Sequence, residues 1–566
     1  MCKPFPTFFS ALLFCFLFAC QPDNKKPSKS IRIHQVAEAK DLNPVTCRDE
    51  FSNYLSIQIF QPLLAFDFES EEIVPVLAEE LPSIEKLDSN RLAIQYQIRP
   101  EAKFASGRQI LAQDVFFALK AHLCPGVNSY STQFFRFIKA FKIDPNNALS
   151  FTLVCENMGN ATLYYSGAFQ LLDPEVYDPN HYLENCSLAS LTAAEASADS
   201  NLMAFSKAFN AVKYSKEIAH IQGSGPYELK AWEEGQKVSL AKKADWWGNK
   251  FQNENSYFKA FAQQLEYRII SDENTAFLAF QKGALEFSAH LGLQQAQKLD
   301  QAAFQSVRQE ESNFQYLGFN VKANSLKHNE VRRALMHCLP RELILEKVFH
   351  QLGSLTSAPL RASEYQALFP DTTIYQFNPK KAKALLLSNG WEDSNENGIL
   401  DRKAEGTRQE LSLKYAYNSG NEKRKAVGLI LKQEALKAGI EIEIETFDWS
   451  TYLNKMRNGE LEIFYNSTST NLLPADLSQL IRTNGQNYFN YYHPKVDSLV
   501  QAIRYEERSK PREKMLLECI EQIHEDMPAV FLFSTQKRMW FKHNLDGIYS
   551  AVRPHYWAPA FQLEQP

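Results

Sequence analysis

Residues 92–120 read LAIQYQIRPEAKFASGRQILAQDVFFALK, and the way this stretch changes period decides how the chain is built. Leu92 to Ile98 alternates like a strand with one buried face. Arg99-Pro100 closes it, because proline brings no N–H to a ladder and restricts the residue before it. Asp114-Val115-Phe116-Phe117-Ala118-Leu119-Lys120 then reads as a helix, with its acid in the first turn where the helix dipole favours negative charge. One short stretch therefore passes from a two-residue period to a helical one across a polar turn.

The same alternation recurs on both sides. Ile31-Arg32-Ile33-His34-Gln35-Val36 alternates as a first strand, and Leu42-Asn43-Pro44 breaks the chain into a loop. Residues 186–215, rich in Ala and Ser, have helical propensity. Gly223-Ser224-Gly225-Pro226-Tyr227 marks a sharp turn before a strand pair, Tyr227 to Leu229 and Lys237 to Ala241. Asn378-Pro379 places an N-cap before a proline at the first helical position, and Ala382, Leu385 and Leu386 continue a helical stripe to Gly390. Ala426 to Lys437 forms another helix, stopped by Gly439, after which Ile440, Ile442 and Ile444 alternate with Glu441, Glu443 and Glu445. Strands and helices alternating in separate sections indicate α/β and mixed α+β domains. No internal repeat interrupts them.

Composition narrows the function. The 566 residues suggest about three or four domain-sized units, and 45% hydrophobic with 13% aromatic content is enough for large cores. Lys plus Arg is 61 against 66 for Asp plus Glu, a net charge of -5, which argues against a broad electrostatic grip on nucleic acid. No GxSxG elbow, HExxH or GxxxxGK[ST] loop is present, and nothing in the pattern points to a catalytic pair, so the chain is not expected to be an enzyme.

The N-terminus carries an address. Met1-Cys2-Lys3 is followed by an apolar run from Phe5 to Ala19, shorter than the roughly 20 residues of a permanent span. One positive charge before such a run reads as a secretory signal. Its end, Leu17-Phe18-Ala19-Cys20, followed at once by Gln21-Pro22-Asp23-Asn24, resembles a bacterial lipobox. Residues 1–20 are thus a lipoprotein signal, Cys20 the residue expected to be lipidated, and 21–30 a polar tether. An ordinary signal peptide with an incidental cysteine is the other reading.

Of the nine cysteines, Cys47, Cys124, Cys155, Cys186, Cys338 and Cys519 lie beyond Cys20. With no CxxC, a zinc knuckle or a thioredoxin motif is absent. Cys124 and Cys155 are either a disulfide or buried thiols. Asp393-Ser394-Asn395-Glu396-Asn397-Gly398-Ile399-Leu400-Asp401 matches the opening of an EF-hand-like loop. Asp393, Asn395, Asn397 and Asp401 are its candidate calcium ligands, but Ala404 stands where the bidentate acid belongs. A polar turn with Asx caps is the alternative. A structural calcium ion is the one cofactor these residues suggest.

The punctuation marks occur in a telling order. Leu42-Asn43-Pro44 is followed by Ile59-Phe60-Gln61-Pro62-Leu63-Leu64, Val74-Pro75-Val76-Leu77-Ala78-Glu79, Tyr96-Gln97-Ile98-Arg99-Pro100, Lys103-Phe104-Ala105-Ser106-Gly107 and Ala112-Gln113-Asp114-Val115. Then come Gly223-Ser224-Gly225-Pro226-Tyr227, Trp232, Gly235 and Trp247-Gly248, and later Phe319-Asn320, Val331-Arg332-Arg333-Ala334-Leu335, Gly390-Trp391 and Gly439-Ile440-Glu441-Ile442. In this order the marks, spread over residues 31 to 550, resemble the extracellular solute-binding proteins of ABC importers, in the oligopeptide, dipeptide and nickel-binding family.

The resemblance implies a two-lobed clamp with ligand held between the lobes. It suggests a discontinuous first lobe from 31–62, 200–308 and 534–566, a smaller domain inserted at 63–199, and a continuous second lobe at 309–533. Two crossing strands, near 308–318 and 526–536, would form the hinge. In the family's peptide binders a tryptophan at the position of Trp449 lines the cleft, and a strand shortly after it pairs with the ligand backbone. That strand maps onto Tyr465-Asn466-Ser467-Thr468-Ser469-Thr470-Asn471, and plain core packing is the other reading of Trp449. Those relatives place an aspartate near the end of the strand to hold the ligand's ammonium; here Asn471 stands there, and an amide supplies no charge-assisted bond.

The implied partners are a peptide, an ABC permease with its ATPase, and a membrane reached through the lipid anchor. Nickel chelates, haem and oligosaccharides are alternative solutes. A binding lipoprotein without transport, a chaperone or a ligand sensor, is an alternative role. The chain is expected to act as a monomer in the cell envelope, facing the periplasm or the cell surface.

Overall fold

The computed structural model describes residues 30–193, 196–369, 375–404, 406–469, 472–473, 477–481 and 487–564. Cys20, the tether up to residue 29, Thr470 and Asn471 lie outside the described residues.

The stretch around residues 92–120 folds as its periods require. Arg91–Gln97 is a strand, paired on one side with Ser83–Lys86 and on the other with Asn147–Glu156, and Ile138–Asp144 completes a four-stranded sheet. Tyr96 stacks on Phe151 at 5.2 Å and 11°. Arg99 ends the strand by donating from Nε to the carbonyl of Val76 at 3.0 Å and from Nη2 to Glu254 at 2.6 Å. Its guanidinium also lies 4.7 Å from the Phe251 ring, so one cation ties three segments together. The helix Ala112–Leu123 follows. Asp114 in its first turn accepts from the Leu111 N–H at 2.8 Å, and Arg108 bridges Asp114 and Asp173 at 3.0 and 2.7 Å.

The largest sheet has twelve strands. Ser30–Gln35 runs parallel to Gln264–Ile269 over its whole length and to Phe287–Ser288 on its other side. Lys237–Lys242 and Tyr227–Glu233 continue it antiparallel to the edge. The Gly-Ser-Gly-Pro-Tyr turn explains itself here. A Cβ on Gly223 would lie 2.3 Å from the carbonyl oxygen of Ile59, and one on Gly225 2.5 Å from that of Gln58, so only glycine lets this turn abut the end of the helix Glu50–Ile59. The Ser224 carbonyl between them accepts from the indoles of Trp246 and Trp247 at 2.8 and 3.0 Å.

At the other end of the sheet Ser412–Asn418 lies parallel to both Glu441–Phe447 and Ile463–Ser469, and Ile463–Ser469 pairs antiparallel with Asn313–Phe319. The Ala529–Lys542 strand, 14 residues long, joins the two ends. Its first part pairs with Asn313–Phe319 and Gly353–Leu355, and from Gln536 onward it pairs with Phe304–Glu310. The change of partner thus falls at 311–312 on one strand and 535–536 on the other.

Two main apolar cores flank this crossing. One draws on residues from Ile31 to Ala289 and from Met539 to Phe561, the other on residues from Phe314 to Phe533. Segment 63–199 has its own four-stranded sheet, but its side chains share the first core without a break. The helix Ala112–Leu123 shows why: it is buried nearly all round, packing toward its own sheet and toward its neighbours. All six described cysteines are free. No Cys124–Cys155 disulfide forms. Burial pushes both thiols up to about 12, which leaves them protonated and unreactive.

Candidate functional site

In open α/β sheets ligands bind beyond the carboxyl ends of the parallel strands. In the second lobe those ends are Asn418, Phe447 and Ser469, and Ser469 sits opposite Asn313 beside the crossing. At Ser469 this edge meets the first lobe, through Arg553.

The strand Ile463–Ser469 changes character along its length. Ile463, Phe464 and Tyr465 are buried, while Asn466 to Ser469 alternate between half-buried and exposed. The ladder explains the change. On one side the strand pairs with Asn313–Phe319 throughout, but on the other side it pairs with Ser412–Asn418 only at Ile463 and Phe464. Beyond Phe464 no strand among the described residues covers that side. Polar side chains are tolerated there, and the main chain has an open flank.

The expected site residues separate into three groups. Tyr465 is buried, its hydroxyl donates to Gln315 Oε1 at 3.1 Å, and its carbonyl accepts from Tyr452, so its side chain belongs to the core. Ser467 accepts from Gln315 Nε2 at 2.8 Å, and Thr468 is half-buried beside it. Trp449, the first residue of the helix Trp449–Arg457, is 53% exposed, so core packing does not explain it. The Arg424 guanidinium lies 5.6 Å from its ring, and Arg424 also donates to Asn418 at 2.7 Å and to Asn466 at 3.4 Å. Trp449, Arg424 and Asn466 thus form one connected edge at the strand ends.

Ser469 lines a cavity of about 410 Å³ between the lobes. The first lobe contributes Phe66, Tyr130, Phe134, Tyr164 and Tyr165; Ser312 comes from the crossing; and the C-terminal segment brings Arg553. Phe66 lies 4.6 Å from Tyr164, and Phe134 stacks on Tyr165 at 5.4 Å. Arg553 reaches across and donates to Ser469 Oγ at 3.1 Å. Sequence reasoning missed this aromatic wall. Its only linear signal is the doublets Phe134-Phe135 and Tyr164-Tyr165, on two short helices whose proximity the sequence does not announce.

The lobes also touch at two places outside the cavity lining. Arg361 pairs with Glu71 at 3.4 Å, and Glu71 also accepts from the Ala551 N–H at 2.7 Å. On the far side the Asn160 N–H donates to the Arg504 carbonyl at 3.0 Å, and Arg504 Nε donates to the Met158 carbonyl at 3.0 Å. A Cβ on Gly159 would stand 2.1 Å from the Arg504 oxygen. These contacts tie the two lobes together in this structure.

The acidic loop is tied up differently. Asp401 accepts from Ser394 Oγ at 2.5 Å and pairs with Arg408, while Asn395 and Asn397 donate to Glu410 Oε1 at 3.0 and 2.7 Å. The Asp393 carboxylate accepts from the Gly398 N–H at 3.0 Å, and its other oxygen has no partner. Among the described residues no cluster of three or more His, Cys, Asp or Glu converges as a metal site. No helix among them is long and apolar enough to cross a membrane.

Comparison with known proteins fits this architecture. The model of bacterial extracellular solute-binding proteins, family 5 Middle, matches residues 72–489. The Bacillus subtilis oligopeptide-binding protein AppA is 26% identical over 504 residues, 87% of this chain and 84% of that protein. The structure of AppA from Bacillus subtilis in complex with a nonapeptide superposes with a TM-score of 0.64 at 23% identity, covering 95% of this chain and 100% of the other. NikZ from Campylobacter jejuni, in complex with Ni(L-His), gives 0.63 at 21% identity over 93% of this chain and 96% of that one. The chain belongs to family 5 of the bacterial extracellular solute-binding proteins.

Proposed function

We propose that this chain is the solute-capturing component of an ABC importer, that its solutes are peptides, and that it hands them to a membrane permease without chemistry of its own. The observation that carries the reading is the cavity bounded by both lobes and the crossing strands, with one flank of the strand Ile463–Ser469 uncovered at its mouth. Main-chain groups on an open strand flank bind any peptide sequence, and a wet cavity tolerates varied side chains. AppA, the relative matched over most of its length, is an oligopeptide-binding protein, which supports peptides over other solutes.

Closure follows from differential binding. A solute that touches both lobes stabilises the closed state by as much as it prefers that state. A mixed pool of di- to pentapeptides is expected to raise the melting temperature and to change tryptophan emission through Trp449. Native mass spectrometry of the protein as purified should show bound peptide masses. A pool that leaves both signals unchanged, with only metal chelate or haem masses co-purifying, would overturn the peptide assignment.

The same proposal places the protein on a membrane through a lipid on Cys20. Wild type is expected to partition into detergent and Cys20→Ala into the aqueous phase. Equal membrane retention of the two would remove the anchor.

A further inference from the structure

The cavity has an uneven chemistry. Its described lining carries one full positive charge, Arg553, and no Asp or Glu. Arg553 makes a single hydrogen bond, to Ser469 Oγ at 3.1 Å, and no ion pair among the described residues, although its guanidinium holds five donors. An ammonium entering here meets no counter-charge. A carboxylate meets a planar fork suited to bidentate pairing.

A second polar group lies unused in the same lining. His122 is buried and holds Ser131 Oγ through Nδ1 at 3.1 Å, while its Nε2 has no hydrogen-bond partner. Burial lowers the ring to about 3, so it is neutral at physiological pH. A buried nitrogen left without a partner costs free energy that a ligand's polar group recovers. The His122 ring itself packs against Phe135 and Phe169, and the same lining holds Phe66, Tyr130, Phe134 and Tyr164, of which Tyr130 and Phe134 keep 54% and 37% of their surface exposed. Exposed aromatic rings at a cavity wall await an apolar partner.

We propose that this cavity is a specificity pocket for a bulky apolar or aromatic group that carries a carboxylate beside it, with the carboxylate on Arg553, the apolar group among Phe66, Tyr130, Phe134 and Tyr164, and a hydrogen bond to His122 Nε2. The inference rests on the peptide reading and deepens it. The feature recognised here is the acidic end of the ligand, whether a C-terminal carboxylate or an acidic side chain, rather than its ammonium.

Three N-acetylated peptides separate the possibilities: Gly-Gly-Phe as the free acid, Gly-Gly-Phe amide, and Gly-Asp-Phe amide. Titration calorimetry of the full chain should show the free acid binding about 10- to 100-fold more tightly than Gly-Gly-Phe amide, the worth of one charge-assisted pair. Recovery of affinity by Gly-Asp-Phe amide identifies a side-chain carboxylate as an equal source; no recovery assigns the C-terminus. Arg553→Gln, at an exposed position with one hydrogen bond, should fold and erase the acid-over-amide ratio. Phe134→Ala should lower affinity for Gly-Gly-Phe while leaving that ratio intact. Equal affinity for acid and amide, or a ratio unchanged in Arg553→Gln, overturns the pocket assignment and leaves the peptide reading standing. Failure of all three peptides to bind at millimolar concentration, while the mixed peptide pool does bind, overturns the pocket alone. Failure of the pool as well overturns both.

Discussion

The two walls of the cleft are built on opposite principles. The first-lobe wall is side chains: Phe66, Tyr130, Phe134 and Tyr164, with His122 in the same lining and no acid. From the second lobe Ser469 lines the cavity, and we propose that its wall continues along the end of the sheet, Asn466 to Ser469 with an uncovered flank and Trp449 joined to it through Arg424. An aromatic wall reads size and polarity, whereas a strand flank reads main chain. The contrast teaches how one cleft combines tolerance of sequence with a preference for one kind of end.

The contrast is sharpest under acid. Burial lowers His122 and His290, both in the first lobe, to about 3. A histidine whose folded value lies below the unfolded 6.5 contributes stability that is full above 6.5 and is lost as pH falls toward the folded value. At pH 5 each should cost about 2 kcal/mol, being about 1.5 pH units below 6.5 at about 1.4 kcal/mol per unit. Urea unfolding at pH 7 and pH 5 should show this fall in midpoint. Equal stability at the two pH values would mean that these rings are not neutral and buried.

On the second-lobe wall Trp449→Ala is expected to weaken peptide binding by roughly 1–3 kcal/mol, the scale of an aromatic anchor. Its melting temperature should hardly move, because the ring is 53% exposed. An unchanged affinity for a bound peptide would confine recognition to the aromatic wall and break the comparison.

One of the contacts between the lobes depends on Gly159. Gly159→Leu would force a side chain against the Arg504 carbonyl, where a Cβ already stands at 2.1 Å. The variant should lose about 1.4 kcal/mol or more of ligand affinity, a tenfold change, and keep an open shape with ligand present by small-angle scattering. A variant that closes normally would show that this contact is incidental to closure.

The smallest effect belongs to the loop Asp393–Asp401, far from either wall in sequence. We propose a weak structural calcium site there, supported by the unpartnered Asp393 oxygen and by Glu410 next to Asn395 and Asn397. Calcium at several times its dissociation constant would stabilise by only about 1 kcal/mol. A small rise in melting temperature that disappears in Asp393→Ala is the expected result. No rise at millimolar calcium in chelator-treated protein would leave the loop as a turn closed by Arg408.

Much of the fold was legible because periods and caps are local. Leu92 to Ile98, the Asn378-Pro379 cap and the Ile440 to Ile444 alternation each appear as the strand or helix their spacing demands. The division at 63–199 came with the resemblance and not from a local period or cap. Whether two segments share a core depends on which faces meet, and nothing in the local run Asp114 to Lys120 announces that the helix Ala112–Leu123 is buried nearly all round. The site was legible in part. The loss of apolar character after Tyr465 marks the point where the ladder to Ser412–Asn418 ends, but nothing local says that the Tyr465 side chain turns into the core. Nor does it say that Arg553, 84 positions on, reaches Ser469. The aromatic wall is assembled from separate segments, and only tertiary packing brings them together.

A crystal structure of the protein with its co-purified solute, or with a peptide selected from the pool, tests the central claim most directly. The account predicts density between the lobes, main chain along the open flank of residues 466–469, a bulky group against Phe66 and Tyr164, and a carboxylate within hydrogen-bond distance of Arg553. Solute bound outside the interlobe cavity, or lying within it with an ammonium at Arg553, would contradict it.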